Sequence, residues 1–287
     1  MCFSLRPILY SAMPLAYDGQ RHLGFSASFF SLWGVRVICR NLLPWLACLV
    51  GLCVFSPPAV RGQVTDLPTE AKAARTPPPL QVYKGRRIAQ TMHYLGAEWL
   101  TRDNREQEER CSLMLTALDA KRGMNICDMG CGNGFYTLKL AKMIGDTGHV
   151  YAVDIQPKML EFLNERADRE GIANISPILG TFTDPRLPMG KIDLILCVDV
   201  YHEFSHPEQM LARMRDSLAP GGLVVLVEFR AEDPKVPIKP EHKMTKLQVL
   251  KELPPNGFKL VKEFDSLPWQ HMMFFGRDDD ATLTSSK

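Results

Sequence analysis

Beyond residue 123 the apolar positions fall into two alternating rhythms. Short apolar runs, each bordered by an acid, a glycine or a proline, occur at Met124–Met129, Gly148–Asp154, Ile175–Leu179, Lys191–Val198 and Leu223–Phe229. Runs of that length with such borders predict strands buried on both faces. Between them, Phe135–Ile144, Pro157–Glu170 and His206–Leu218 carry apolar residues at helical spacing. Proline stands in the first turn of the second, and Ala219-Pro-Gly-Gly222 ends the third. A further helix is predicted over Lys246–Glu252, broken at Pro254-Pro255. Gly257–Phe264 and Gln270–Gly276 then predict a closing hairpin. Strands and helices in alternation predict an α/β fold around a parallel sheet. Upstream, Asn104–Ala120 predicts a helix with Leu113, Leu115 and Leu118 on or near one face.

The turn after the first strand reads Asp128-Met-Gly-Cys-Gly-Asn-Gly134. Glycines there let the backbone bend sharply and approach a ligand, and the helix that follows offers unpaired N–H groups at its start. A dinucleotide fingerprint would need its third glycine at 135, where this chain has Phe135. The third glycine comes one residue early and an acid precedes the first. In this the turn resembles motif I of the class I S-adenosylmethionine-dependent methyltransferases. S-adenosylmethionine has no pyrophosphate to cradle but carries an ammonium that a carboxylate can hold, directly or through water. A second acid, Asp154, closes the next strand about twenty residues on, where an adenosine ribose needs an acceptor for its hydroxyls.

Ser217-Leu-Ala-Pro-Gly-Gly-Leu-Val-Val-Leu-Val-Glu-Phe229 resembles the ubiquinone/menaquinone C-methyltransferase-like group, the type 11/25 methyltransferases. The resemblance implies a doubly wound, seven-stranded Rossmann-like sheet of order 3-2-1-4-5-7-6 with the last strand antiparallel, beneath an N-terminal helical cap. It implies S-adenosylmethionine as cofactor, held by Asp128, Gly130, Cys131, Gly132 and Gly134 at the turn, and by Asp154 and Ile155 at the ribose. Many relatives place Asp or Asn where Thr181 stands, so adenine falls to the backbone at Thr181 and to Phe182. Tyr83, His93 and Trp99 of the cap either close over the cofactor or pack between helices.

In open α/β sheets the ligand lies beyond the carboxyl ends of the strands. The fourth strand ends in Cys197-Val-Asp-Val-Tyr-His-Glu203. Asp199 is the candidate for the methionine part of the cofactor, and His202 is the candidate base, since imidazole takes a proton near neutral pH. The same residues satisfy His-Glu-x-x-His at 202–206, the zinc peptidase pattern. That chemistry needs both histidines one turn apart inside a helix. Here the first leaves a strand and Pro207 follows the second, so no metal is expected. A protein that binds the cofactor without transferring methyl is the other alternative. No Asn-Pro-Pro-Tyr or Asp-Pro-Pro-Tyr follows the fourth strand and no Pro-Cys pair occurs, which argues against a nucleobase acceptor. A small-molecule or lipid-like acceptor is expected, and Arg230, Lys239, His242 and Lys243 form a candidate surface for an anionic one.

Composition changes this picture only at the N-terminus. Five arginines and one aspartate fall before residue 63, so the formal charge of +2 over 287 residues leaves the remainder near neutral, with no nucleic-acid footprint. Arg36 and Arg40 precede an apolar run, Leu42–Phe55, then Ser-Pro-Pro-Ala-Val-Arg-Gly62. This is the order of a secretory signal, too short for a comfortable membrane span, and it predicts export or membrane attachment, with a cytoplasmic location as the alternative because S-adenosylmethionine is made in the cytoplasm. The expected organisation is a signal-like or anchor segment at 1–62, a Pro-rich linker at 63–80, a helical cap at 81–123, a cofactor-binding domain at 124–277 and a disordered tail at 278–287. Cys111, Cys127, Cys131 and Cys197 show no framework spacing.

Overall fold

The computed structural model describes residues 76–283. The signal-like segment and most of the linker lie outside the described residues. A small hairpin, β1 (Val82–Tyr83) and β2 (Arg86–Arg87), leads to a 3₁₀ segment (Tyr94–Thr101) and two short helices, α1 (Arg105–Glu109) and α2 (Cys111–Leu118). The single helix predicted over Asn104–Ala120 is therefore broken. Arg110 adopts a left-handed φ of 51° and its N–H bonds the Glu106 carbonyl, closing α1 before α2 restarts.

The remaining elements are β3 (Asn125–Met129), α3 (Phe135–Ile144), β4 (His149–Asp154), α4 (Pro157–Glu170), β5 (Ile175–Leu179), β6 (Ile192–Val198), α5 (Pro207–Ser217), β7 (Leu218–Arg230), β8 (Lys243–Met244), α6 (Lys246–Glu252), β9 (Phe258–Phe264) and β10 (Gln270–Arg277). The long strands lie in the order β5-β4-β3-β6-β7-β10-β9. Taken in chain order this is 3-2-1-4-5-7-6, as expected. Strands β3 to β7 pair in parallel, and β10 runs antiparallel to both β7 and β9. Two details differ from the sequence expectation. Strand β7 begins at Leu218 rather than Leu223, because Ala219–Gly222 forms an irregularity in its pairing with β6 instead of a free turn. The two-residue β8 adds a parallel pair at the far end of β7.

Side chains along the central strands alternate between two cores, as the pleat requires. Ile195, Cys197, Val224, Leu226, Met273 and Phe275 face the core that holds α5 and α6. Leu194, Leu196, Val225, Val227, Met272 and Phe274 face the core of α2 and α3. A sheet covered on both faces leaves only its strand ends open to a ligand. The order reverses at β3, which has β4 on one side and β6 on the other, so their carboxyl ends diverge there. The predicted tail is ordered at its start: Asp278 N–H bonds the Gly257 carbonyl at 3.1 Å, and Asp280 accepts from Gly221 N–H at 2.6 Å.

Candidate functional site

The glycine turn sits on the carboxyl end of β4. Gly130 and Cys131 both donate to the Val153 carbonyl, at 2.8 and 2.9 Å. Gly130, Gly132 and Gly134 all take left-handed φ values, 68°, 52° and 83°. A Cβ on Gly130 would lie 2.4 Å from Val200 Cγ2, and one on Gly132 would lie 2.5 Å from Leu100 Cδ1. Both the conformation and the space therefore require glycine. Asp154 closes the turn from the next strand: its Oδ2 accepts from Gly132 N–H at 3.0 Å and its Oδ1 from Gln156 N–H at 2.8 Å. The buried Asp128 accepts from Thr137 Oγ1 at 2.6 Å. Burial, reinforced by the nearby Asp154 charge, pushes the Asp128 carboxyl up to about 6 against the pull of the Thr137 bond. The structure thus gathers Asp128, the three glycines, Cys131 and Asp154 at one place, with the half-buried Ile155 beside them.

Asp199 enters from β6 with a left-handed φ of 51°. Its Oδ2 accepts from Gln270 Nε2 at 2.7 Å, while Oδ1 is shut away from solvent without a partner. Burial and the Glu109 charge push this carboxyl well above the usual range. An orphaned carboxylate oxygen, an acid at about 6 and a glycine cradle fit a ligand with a cationic end and vicinal hydroxyls. The space does not yet match. The cavity lined by Asp128, Gly130, Cys131, Leu100, Arg105 and Phe135 measures about 30 Å³, room for water rather than a nucleoside.

The cap fills the rest. Leu100 packs on Gly132, Asn133 Nδ2 donates to the Ala97 carbonyl at 2.9 Å, and Arg105 bonds the Leu100 carbonyl and Glu109 at 2.7 and 2.9 Å. Gln156 ties down the same segment, donating to Met92 O at 2.8 Å and accepting from Tyr94 N–H at 2.9 Å. A larger open groove of about 620 Å³ lies at the opposite, amino ends of β4 and β5. Among its polar side chains, Lys142 pairs with Glu170, His149 meets Ser176, and Asn174 bonds three carbonyls.

At the end of β6 the chain makes a 3₁₀ turn, Tyr201–Glu203. His202 is 2% exposed, and its Nδ1 lies 2.6 Å from Glu228 Oε2. Its Nε2 lies 3.1 Å from His242 Nδ1. Burial opposes the imidazolium, but the Glu228 carboxylate outweighs it and the pKa of His202 is raised. Burial also lifts the Glu203 carboxyl to about 7 despite its His202 neighbour. His206 is held elsewhere: its Nε2 meets Pro77 O at 2.7 Å, so the two histidines of the 202–206 pattern do not converge.

Thr181 and Phe182 stand on the exit loop of β5. The Thr181 hydroxyl is occupied within that loop, accepting from Asp184 N–H at 2.9 Å, while Phe182 is half exposed. Tyr83, His93 and Trp99 take packing roles: Tyr83 bonds Asn256 at 2.9 Å, His93 caps the 3₁₀ segment, and Trp99 stacks under Arg102 at 3.8 Å. The expected anion surface is also dispersed. Arg230 bonds the Asp265 carbonyl and Lys243 the Asp233 carbonyl, Lys239 is exposed, and His242 turns to His202. Sequence reasoning missed Glu228, a carboxylate inside the apolar run of β7. An acid there, with no exposed face, is the signal of a buried partner. Gln156 and Arg105 carried no such signal.

The family model described as a methyltransferase domain matches residues 120–272. Among curated proteins, the ubiquinone/menaquinone biosynthesis C-methyltransferase UbiE of Shewanella halifaxensis is 30% identical over 152 residues, 51% of this chain and 57% of that protein. The protein-L-isoaspartate O-methyltransferase of Methanothrix thermoacetophila is 28% identical over 115 residues, 40% of this chain and 52% of that one. This chain therefore spans little more than half the length of these relatives. Of the solved structures, a SAM-dependent methyltransferase from Aquifex aeolicus superposes with a TM-score of 0.61 at 23% identity, over 64% of this chain and 98% of its own.

Proposed function

Because this chain belongs to the methyltransferase-domain family, we propose that it transfers a methyl group from S-adenosylmethionine to a small-molecule or lipid-like acceptor. The observation that carries the proposal is the bond from Gly132 N–H to Asp154 Oδ2, which sets the acid of β4 against the glycine turn that follows β3. Two carboxylates from adjacent parallel strands then serve one ligand. When bound, S-adenosylmethionine supplies a methyl group already activated on a sulfonium.

The chain's own task is alignment and exclusion of water. Asp154 holds the ribose hydroxyls, Asp128 and Asp199 hold the cationic end, and Phe182 and the loop backbone at Thr181 meet the adenine. The cap residues Leu100 and Ala97 cover the turn. His202, steadied at Nδ1 by Glu228, is the base that takes the acceptor's proton through Nε2. Relatives with C-methyl and O-methyl acceptors in their names support the transfer and leave the acceptor atom open.

Calorimetry of the full chain with S-adenosylmethionine and S-adenosylhomocysteine tests the proposal. Asp154→Asn should weaken both by tenfold or more, since a hydrogen bond to a charged group contributes about 1.5–3 kcal/mol. Wild-type affinity in a folded Asp154→Asn protein, or no binding by the wild type, would remove the reading.

A further inference from the structure

We propose that His202, Glu203 and His242 bind one divalent transition-metal ion of the zinc class. The turn after β6 and the 3₁₀ turn Pro240–His242 face each other. One ligand atom from each of the three residues lies within 4.8 Å of the others. The two imidazole nitrogens are 3.1 Å apart. Two nitrogens on one tetrahedral ion, each bonded at about 2.0–2.1 Å, sit roughly 3.3 Å apart, so the histidines already stand at ligand spacing. Only Glu203 has to swing inward, and its Oε1 is held by a long 3.3 Å bond from Met92 N–H.

The surroundings are those of a supported site. Glu228 accepts from His202 Nδ1, leaving the Nε2 lone pair toward His242, and its other oxygen is fixed by Tyr201 N–H at 3.0 Å. A carboxylate behind a ligating histidine orients the ring and strengthens it as a donor. Charge points the same way. Glu203 and Glu228 both face the turn, and the charge of Arg86, packed on the Tyr201 ring and bonded to the His202 carbonyl at 2.9 Å, is countered by both oxygens of Glu252 at 2.7 and 3.0 Å. Two imidazoles and one carboxylate suit zinc rather than magnesium or calcium, which take oxygen ligands. The set differs from the His-Glu-x-x-His pattern, because His242 stands in for His206.

Three protein ligands leave a fourth position open, as catalytic ions require. What the ion does there rests on the methyl-transfer reading. A bound zinc ion would make an acceptor hydroxyl or thiol at the open position more acidic, and His202 would then serve as a ligand rather than the base. The site itself does not depend on that reading.

The test is zinc titration of the full chain after chelator treatment, with metal content measured on the protein as isolated. One zinc per chain is expected, with magnesium failing to compete. His242→Ala, at a half-buried position, and Glu203→Gln should each weaken zinc at least tenfold while leaving the thermal melt and S-adenosylhomocysteine affinity in place. Absence of stoichiometric zinc binding overturns the proposal, as does full zinc affinity in the His242→Ala, Glu203→Gln double variant. A protein that binds S-adenosylhomocysteine but no zinc removes the metal alone; one that binds zinc but no S-adenosylhomocysteine removes the methyl-transfer reading alone.

Discussion

Under the proposed function, Asp128 makes cofactor affinity depend on pH. Its carboxyl is 3% exposed, carries one short bond from Thr137, and is pushed up to about 6, first by burial. If its ionised form holds the methionine ammonium, binding must first remove the proton. Affinity is then flat above pH 7 and falls below pH 6, by about elevenfold between pH 8 and pH 5 for one proton, or roughly 1.4 kcal/mol. Asp154 is also raised by burial, so part of any fall belongs to the ribose end. Comparing S-adenosylhomocysteine with methylthioadenosine isolates the ammonium end, which Asp128 and Asp199 share, because the second ligand keeps the ribose and lacks the ammonium; Asp128→Asn then separates the two acids. The ratio of the two affinities should fall about tenfold on acidification. The stability sign is the reverse: a carboxyl whose folded pKa is raised stabilises the fold below the unfolded value near 4, and that contribution is lost as pH rises through 6. Holding it ionised costs about 3 kcal/mol. Asp128→Asn should therefore melt higher than wild type at pH 8, bind S-adenosylhomocysteine weakly, and show a ratio that moves less with pH than the wild type's. A ratio unchanged from pH 8 to pH 5 in the wild type would refute the assignment of Asp128 to the ammonium.

Two further outcomes test the turn and its cover. Gly130→Ala combines a left-handed φ of 68° with a Cβ 2.4 Å from Val200 Cγ2, so it should lose about 2–4 kcal/mol in urea unfolding; Val200→Ala in the same chain should recover only the steric share. Gln156→Ala removes both side-chain ties to Met92 and Tyr94. Faster tryptic cleavage at Arg102 or Arg105 and faster S-adenosylhomocysteine association should follow, whereas unchanged rates of both would show that the cap opens independently of Gln156.

The centre of the sheet was legible because β3, β4, β6 and β7 are largely buried and read as near-continuous apolar runs, whereas the edge strands β5 and β9 are partly exposed. The residues of β3, β4 and β6 needed no partner to be found. Helix breaks were less visible: Arg110 reverses the chain through a left-handed conformation that nothing in its side chain announces. The site divides along the same line. Glycines and terminal acids are local signals, and Asp128, the three glycines and Asp154 lie together as expected. His242 reaches His202 from forty positions away, through a loop whose path no periodicity dictates. Thr181 shows the converse, a residue at the anticipated place whose hydroxyl the loop has already used.

The pattern of burial also discriminates among ligands that a glycine turn can serve. Asp128, Asp154 and Asp199 are all pushed upward, with desolvation the largest cause in each. Of the cations near the turn, Arg105 is already paired with Glu109 at 2.9 Å and Arg166 is held on the Asn133 carbonyl at 2.8 Å. Several half-compensated carboxylates around one cleft make an anionic ligand costly, and a dinucleotide with its pyrophosphate would add two more negative charges to them. A ligand with a sulfonium, an ammonium and one carboxylate brings a net positive charge and lets the acids ionise. The absence of a glycine at 135 and the excess of buried acids thus select the same ligand for independent reasons, one steric and one electrostatic.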